Sequence, residues 1–430
     1  MRRFLGMAGV GVAVVGSLWL VLGSCTPPAV PGVPAPAPPV PGTVEAATAE
    51  PEIRVGLAVG ASTGTIGGGS ELVVTDPAGA YLARIAAGET WRLAITGSGL
   101  AVISPGGGSS ASTTQLGVIP LDSGAPVLFN GHPYRGDVTV LRDRTGMTVV
   151  NRVPLETYLQ GVVSAEMGRR SPAEQEALRA QAVVSRTYAL RNMRRWNADG
   201  FDLYSSVADQ AYGGASAETP EGNDAVAATR GRILTFDGAP IDAFFYSTCG
   251  GRTAEGTEIF RAADRPYLRS ISDAADDGTV YCSISPRFRW HEEWSGEALR
   301  ATLRRTLPAV MGTPVGQVRE VRDVRVTAIT GSGRVGQLTI VLDRSSVEVD
   351  GRQIRQVLRP TTGDMLRSNT FTLTVTGAGR RVTRLTADGA GAGHGVGFCQ
   401  WGAVGRSRVG QDYRRIVAAY YPGAVLDRLY

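Results

Sequence analysis

The sequence predicts an α+β fold: mixed strands with a few packed helices forming a substrate cleft, preceded by a small all-β module. Three observations point there. Over residues 52–129, short β-branched runs are separated by Gly-rich turns. Two helical patterns follow at 154–167 and 171–194, and a second β-rich stretch at 318–376 precedes a last helix at 412–420. No repeat of fixed period runs through the 430 residues.

The chain opens with Met1-Arg2-Arg3 and an uncharged apolar run over 4–22, the n-region and h-region of an export signal. Gly23 and Ser24 then precede Cys25, an ending that resembles the lipobox of bacterial lipoproteins, in which the Cys becomes the acylated first residue. About 19 apolar residues are also long enough for a membrane-spanning anchor. Either reading puts the body outside the cytoplasm, and the lipoprotein reading makes it a membrane-anchored protein facing the cell wall or periplasm. Residues 26–51 read as a linker. Eight Pro fall within 26–42, a composition that favours polyproline II and, at ~3.1 Å per residue, reaches up to ~50 Å.

The module at 52–130 has strand signals at 53–59, 71–75, 91–95 and 101–104, and no His or Cys over 52–129. It reads as structural or as a wall-binding accessory. The remaining 131–430 form the candidate catalytic domain. Strand signals at 137–141 and 147–150 make a hairpin that runs into a helix with Pro154 in its first turn. Leu155, Leu159 and Val162 share one face of that helix, and Gly168 ends it. Ser171-Pro172-Ala173-Glu174 is a capping box that starts the second helix. Strands at 233–236 and 241–246, a loop at 247–253, a helix at 296–307 and a Gly-rich turn at 389–397 complete the pattern, with Pro422-Gly423 stopping the last helix.

Composition excludes several chemistries. All 44 basic residues are Arg, so no Lys is present to act as nucleophile, base or Schiff-base former. Against 39 acidic residues the formal charge is +5, and +3 once Arg2 and Arg3 are removed. That balance makes no case for nucleic-acid binding. Residues 60–64 fit a nucleophile-elbow pattern without a strand-to-helix turn, and residues 331–336 fit a dinucleotide fingerprint but lie between strand runs at 324–329 and 337–342, as a hairpin turn. The three histidines, His132, His291 and His394, sit in distant segments and make no helical metal pair.

Three segments carry the chemistry that remains. The first, VVSAEMG over 162–168, places a lone carboxylate, Glu166, at the end of an apolar helix, where burial would keep it protonated as a general acid requires. The second, YSTCGGRT over 246–253, sets Gly250 and Gly251 beside the hydroxyls of Ser247 and Thr253 and the guanidinium of Arg252. The third, GHGVGFCQWGA over 393–403, groups His394 with Gln400 and Trp401, side chains suited to a saccharide subsite.

These segments, with NRVPLETYLQGVV (151–163), AQAVVSRTYAL (180–190), QAYGG (210–214), PYL (266–268), RSNTF (367–371) and YYPG (420–423), resemble the stage II sporulation protein D family, which includes the LytB amidase enhancers. They follow the family's order over about 134–430. The resemblance implies a peptidoglycan lytic transglycosylase that cleaves MurNAc–GlcNAc bonds of peptide-stripped glycan strands, with its catalytic acid at Glu166. One carboxyl suffices there: it protonates the glycosidic oxygen, then as base takes the proton of the sugar's own 6-hydroxyl, leaving a 1,6-anhydro end. Paired-carboxylate glycosidases differ in needing two.

The resemblance also implies substrate contacts at Gln210, Tyr212, Ser247, Gly250, Gly251, Arg252, Thr253, His394, Gln400 and Trp401. Arg252 suits the muramic lactyl carboxylate or serves as a surface or strand-bracing Arg, His394 reads equally as a satisfied structural histidine in a tight turn, and Gln181, Arg186 and Trp401 read equally as polar braces behind Glu166. The partners are glycan strands, the membrane through Cys25, and, in the enhancer branch, a cell-wall amidase that a non-catalytic binder would stimulate. No cofactor is required for the reaction.

With Cys25 lipidated, Cys249, Cys282 and Cys399 leave an odd count in an exported chain. A Cys249–Cys282 disulfide with Cys399 free is one arrangement. A structural zinc held by the three thiolates with His394 or His291 is another, and three unlinked buried thiols are a third. Some members of the family bind zinc through Cys and His.

Overall fold

The computed structural model describes residues 49–97, 99–260, 264–311 and 318–430, so the export leader, Cys25 and the Pro-rich tether lie outside the described residues. The fold is α+β, organised around three hydrophobic cores.

The first core lies between two sheets. Their strands are β1 (Glu52–Ala61), β2 (Gly64–Gly68), β3 (Leu72–Thr75), β4 (Tyr81–Ile85), β5 (Thr90–Thr96), β6 (Gly99–Ile103), β7 (Gln115–Pro120), β8 (Val127–Phe129), β9 (His132–Tyr134), β10 (Asp137–Arg142) and β11 (Met147–Pro154). One sheet runs β1-β11-β10-β7-β3-β4, the other β6-β5-β2-β8-β9. Period-two burial explains the pairing: Val138 and Val140 point inward from β10, beside Leu116 and Val118 of β7 and Val149 of β11. The expected hairpin is therefore part of the same sheet as the expected accessory module. β1 pairs antiparallel with β11 from Glu52↔Pro154 to Ala61↔Met147, so the sheet crosses the 130 boundary.

β11 leads into the second core through α1 (Leu155–Met167), with Pro154 standing at its N-cap, one residue ahead of the first helical turn where the sequence placed it. The Ser171–Glu174 capping box forms, opening a 3-10 turn before α2 (Gln175–Asn192). β12 (Leu203–Tyr204) joins the first sheet parallel to β1. α3 (Pro220–Ala228) then packs on α1 and α2. β13 (Arg232–Phe236) pairs with β14 (Ala239–Pro240), and the strand expected at 241–246 reduces to β15 (Phe245–Tyr246), followed by the single-turn α4 (Gly256–Ile259).

The third core belongs to an insertion in this second unit. β16 (Arg289–Ser295), α5 (Gly296–Met311), the meander β17 (Val321–Ile329), β18 (Val335–Leu342) and β19 (Ser346–Asp350), α6 (Gly351–Val357) and the hairpin β20 (Phe371–Ala378) and β21 (Arg381–Ala390) enclose Trp294, Leu303, Leu338, Ile354 and Leu385. As expected, this segment is a hairpin turn, at 330–334, with Val335 and Gly336 already in β18. The chain then returns to the second core as β22 (Phe398–Cys399), parallel to β15, α7 (Gln400–Arg408), α8 (Tyr413–Tyr420) and β23 (Val425–Arg428) on β13. No helix among the described residues is long and apolar enough to cross a membrane.

A buried ion pair fixes how α1 and α2 meet. Arg186 donates from Nε and Nη2 to the two oxygens of Glu156, at 2.8 and 2.7 Å. Nη1 donates to the Arg232 carbonyl and Nη2 also to that of Val226, and Glu156 also accepts from Gly231 N and the Tyr430 hydroxyl. Arg186 is fully buried. Removing one member would strand the other charge in the core, so Arg186→Ala should cost ~3–5 kcal/mol of stability, measured by urea unfolding against wild type.

Candidate active site

Glu166 stands on the last turn of α1, half-buried, because the neighbouring positions Val162, Val163 and Met167 face the core. Gly168, at φ 68°, ends the helix immediately beyond it. Oε1 of Glu166 accepts from the backbone N of Ala211 at 2.7 Å, and Oε2 from Gln400 Nε2 at 3.4 Å. The same Gln400 amide reaches Gln181 Oε1 at 3.5 Å, and Gln181 Nε2 donates to Ser185 Oγ at 2.9 Å. A row of amides thus links α2 and the start of α7 to one carboxyl. Burial raises the pKa of Glu166 above the ordinary 4.5, against the smaller lowering by its two donors.

The structure brings Gln400 to Glu166, and with it the neighbouring Trp401, whose backbone N donates to Ser247 O at 3.0 Å. The Trp401 ring lies under the Arg170 guanidinium, 4.5 Å from its carbon. Arg252 is exposed, and Gly250 and Gly251 carry φ of 77° and 121°, the first against Ala390, where a Cβ would collide.

Other residues expected to touch substrate are instead spent inside the fold. Tyr212 is buried against Tyr158 and donates to Asn151 Oδ1 at 2.7 Å. Gln210 is buried and accepts from Tyr158 at 3.1 Å, while Thr253 Oγ1 sits between Arg269 O and Ile271 N. His394 uses both ring nitrogens: Nε2 donates to Phe245 O at 2.9 Å and Nδ1 accepts from Val396 N at 3.1 Å. Burial holds its pKa down to about 4, so the ring is neutral. Arg186 braces Glu156 rather than Glu166.

The cysteines come together. Cys249, Cys282 and Cys399 are buried and unbonded, with the Cys249 and Cys282 sulfurs 3.3 Å apart. Neither expected histidine joins them, since His394 is engaged elsewhere and His291 is exposed and paired with Asp388 at 2.7 Å. The fourth member is Asp273: the one ligand atom that each of the four side chains offers lies within 4.8 Å of the other three. Burial raises Asp273 to about 6 and pushes the Cys249 and Cys399 thiols up, whereas hydrogen bonding from Cys249 holds Cys282 well below its ordinary value.

Sequence reasoning missed Asp273, the Ala211 backbone donor and Arg170. Asp273 lies in a stretch with Asp276 and Asp277 that reads as a solvated turn, and a backbone N–H carries no residue signature. Asp209 was also passed over. It accepts from Tyr188, Arg195, Trp196 Nε1 and Tyr204 N at 2.9–3.1 Å, so its carboxylate is fully engaged one residue before Gln210.

Residues 143–236 match the family described as stage II sporulation protein, and residues 280–397 match a domain of unknown function (DUF8618). The second match covers the inserted third core. The chain is 31% identical over 340 residues to the stage II sporulation protein D of Bacillus subtilis, covering 75% of this chain and 87% of that one. It is 31% identical over 296 residues to an uncharacterized protein of Brachyspira hyodysenteriae, 69% of this chain and 72% of that one. The amidase enhancer of Bacillus subtilis is 26% identical over 308 residues, 62% of this chain and 40% of that one.

The raised pKa of Glu166 has a measurable sign. Folding favours its protonated form, so this stabilising contribution is complete below the unfolded pKa and is lost as pH rises through the folded one. Glu166→Gln cannot ionise. Urea unfolding from about pH 4 to about pH 8 should show the wild type losing stability relative to this variant as pH rises.

Proposed function

The chain belongs to the stage II sporulation protein D family, and on that premise we propose that it is a peptidoglycan lytic transglycosylase with Glu166 as both acid and base. The observation that carries the reading is the environment of that one carboxyl. Burial favours the proton-bearing form at the start of the reaction. The Ala211 N–H and the Gln400 amide then stabilise the anion left after the proton moves to the glycosidic oxygen, so the same group can act as base on the 6-hydroxyl. The ring closes to 1,6-anhydro-MurNAc and no water attacks. A second carboxyl is not needed, and the engaged state of Asp209 accords with that.

Trp401, steadied by Arg170, offers an apolar face to a sugar ring, and the exposed Arg252 offers a bidentate partner for the lactyl carboxylate of a peptide-stripped strand. The same proposal takes the leader and Cys25 as export signal and lipid anchor, with the Pro-rich stretch carrying the body to the cell wall.

Incubating residues 43–430 with peptide-stripped glycan strands, and analysing soluble products by mass spectrometry, tests this directly. Wild type should release anhydromuramic ends, and Glu166→Gln should do so at least ~100-fold more slowly. If neither releases product while both stimulate a cell-wall amidase to the same degree, the chain acts as a binding enhancer, the property named in its amidase-enhancer relative.

A further inference from the structure

We propose that Cys249, Cys282, Cys399 and Asp273 form a closed, four-ligand zinc site that fixes the start of α7 beside Glu166. The ligand set comes from three parts of the chain: Cys249 in the loop after β15, Asp273 and Cys282 in the segment before β16, and Cys399 as the residue that caps α7. It contains no histidine, unlike the Cys and His ligation that the family resemblance suggested.

Several features of the surroundings are those of a metal site rather than of idle thiols. Backbone N–H groups point at two of the sulfurs: Cys249 N and Gly402 N donate to Cys399 Sγ at 3.1 and 3.2 Å, and Gly251 N to Cys249 Sγ at 3.4 Å. Such donors stabilise thiolates. The carboxylate is divided. Its Oδ1 is held by the Tyr420 hydroxyl at 2.8 Å and by Arg406 Nε at 3.3 Å, while Oδ2 faces Cys249 Sγ at 3.2 Å. Outer partners that fix the distal oxygen of a ligating carboxylate are the usual support of a bound metal.

The alternatives use these groups less completely. A Cys249–Cys282 disulfide would leave Cys399 and Asp Oδ2 facing a bond that satisfies neither. Three reduced thiols without a cation would leave a fully buried carboxylate balanced only by Arg406. A divalent ion satisfies all four ligands at once, and zinc is the ion that accepts thiolates and carboxylate together in tetrahedral geometry. Four protein ligands leave no open position, so the ion is structural: Cys399 is bonded to Gln400 in sequence, and Gln400 donates to Glu166.

The test uses the full chain, purified in detergent without chelator, with metal content read by plasma mass spectrometry and cysteine state by alkylation mapping. One zinc per chain, or uptake of Zn2+ or Co2+ by the reduced chain with thiolate-to-cobalt charge-transfer bands of a tetrahedral site, is the expected result. Cys399→Ser should abolish that uptake. Tyr420→Phe, which removes only an outer partner, should keep the fold and weaken zinc binding ~10–100-fold, read by competition with a chromogenic chelator. A linked Cys249–Cys282 peptide pair in the chain isolated without reductant, or a reduced wild-type chain that takes up neither ion, would overturn the assignment. These readouts involve no glycan and stand apart from the cleavage assay.

Discussion

The bidentate pair between Arg186 and Glu156 is the constraint from which the rest of the second core follows. A guanidinium with no solvent access needs every donor occupied, and here its partners come from α1, the end of α3 and β13. That requirement sets the rotation and depth of α1 against α2. Glu156 lies in the first turn of α1 and Glu166 in its last, so the helix that is anchored by one carboxylate delivers the other to the rim. One is satisfied by a buried cation and several hydrogen bonds. The other is given two donors and, among the described residues, no ion-pair partner, and its burial favours the protonated form.

The same contrast runs through the cysteine cluster. Burying acidic groups side by side is unfavourable unless something positive joins them, and the fold invests three thiols and a carboxyl at the point where the inserted unit leaves and the last helices return. Gly402 and Gly405 let α7 settle closely there, the first against Tyr420 and Asp273, the second against the backbone of Tyr281. The position of Gln400, and so of its amide toward Glu166, depends on this packing.

Much of this was legible in the sequence. The period of Leu155, Leu159 and Val162 gave α1 its face, the capping box gave α2 its start, and a lone Glu at the end of an apolar helix marked the candidate acid. What was not legible has physical reasons. α7 is capped by Cys399, whose Sγ rather than a hydroxyl accepts from Gly402 N, and Cys is not among the residues read as caps. α3 had Thr219-Pro220 at its start, but Gly222 and Asn223 weaken its helical pattern. His394 and Tyr212 stand beside candidate substrate contacts in the sequence and yet are consumed by internal hydrogen bonds, a distinction that only packing decides. The shared sheet across residue 130 arises from a pairing of β1 with β11 that no local pattern announces.

The inserted third core also governs the order in which this protein can be assembled. Glu166 and Gln400 are 234 positions apart, and Glu156 and Tyr430 are 274 apart, with the third hydrophobic core lying between in sequence. Contacts of such separation form late, because the intervening loop must close first. The early half of the second core, with α1 and α2 already made, waits with an apolar face uncovered until residues 398–430 are delivered. The surroundings of the candidate acid are therefore complete only once Gln400, far downstream of the helix that carries it, has taken its place.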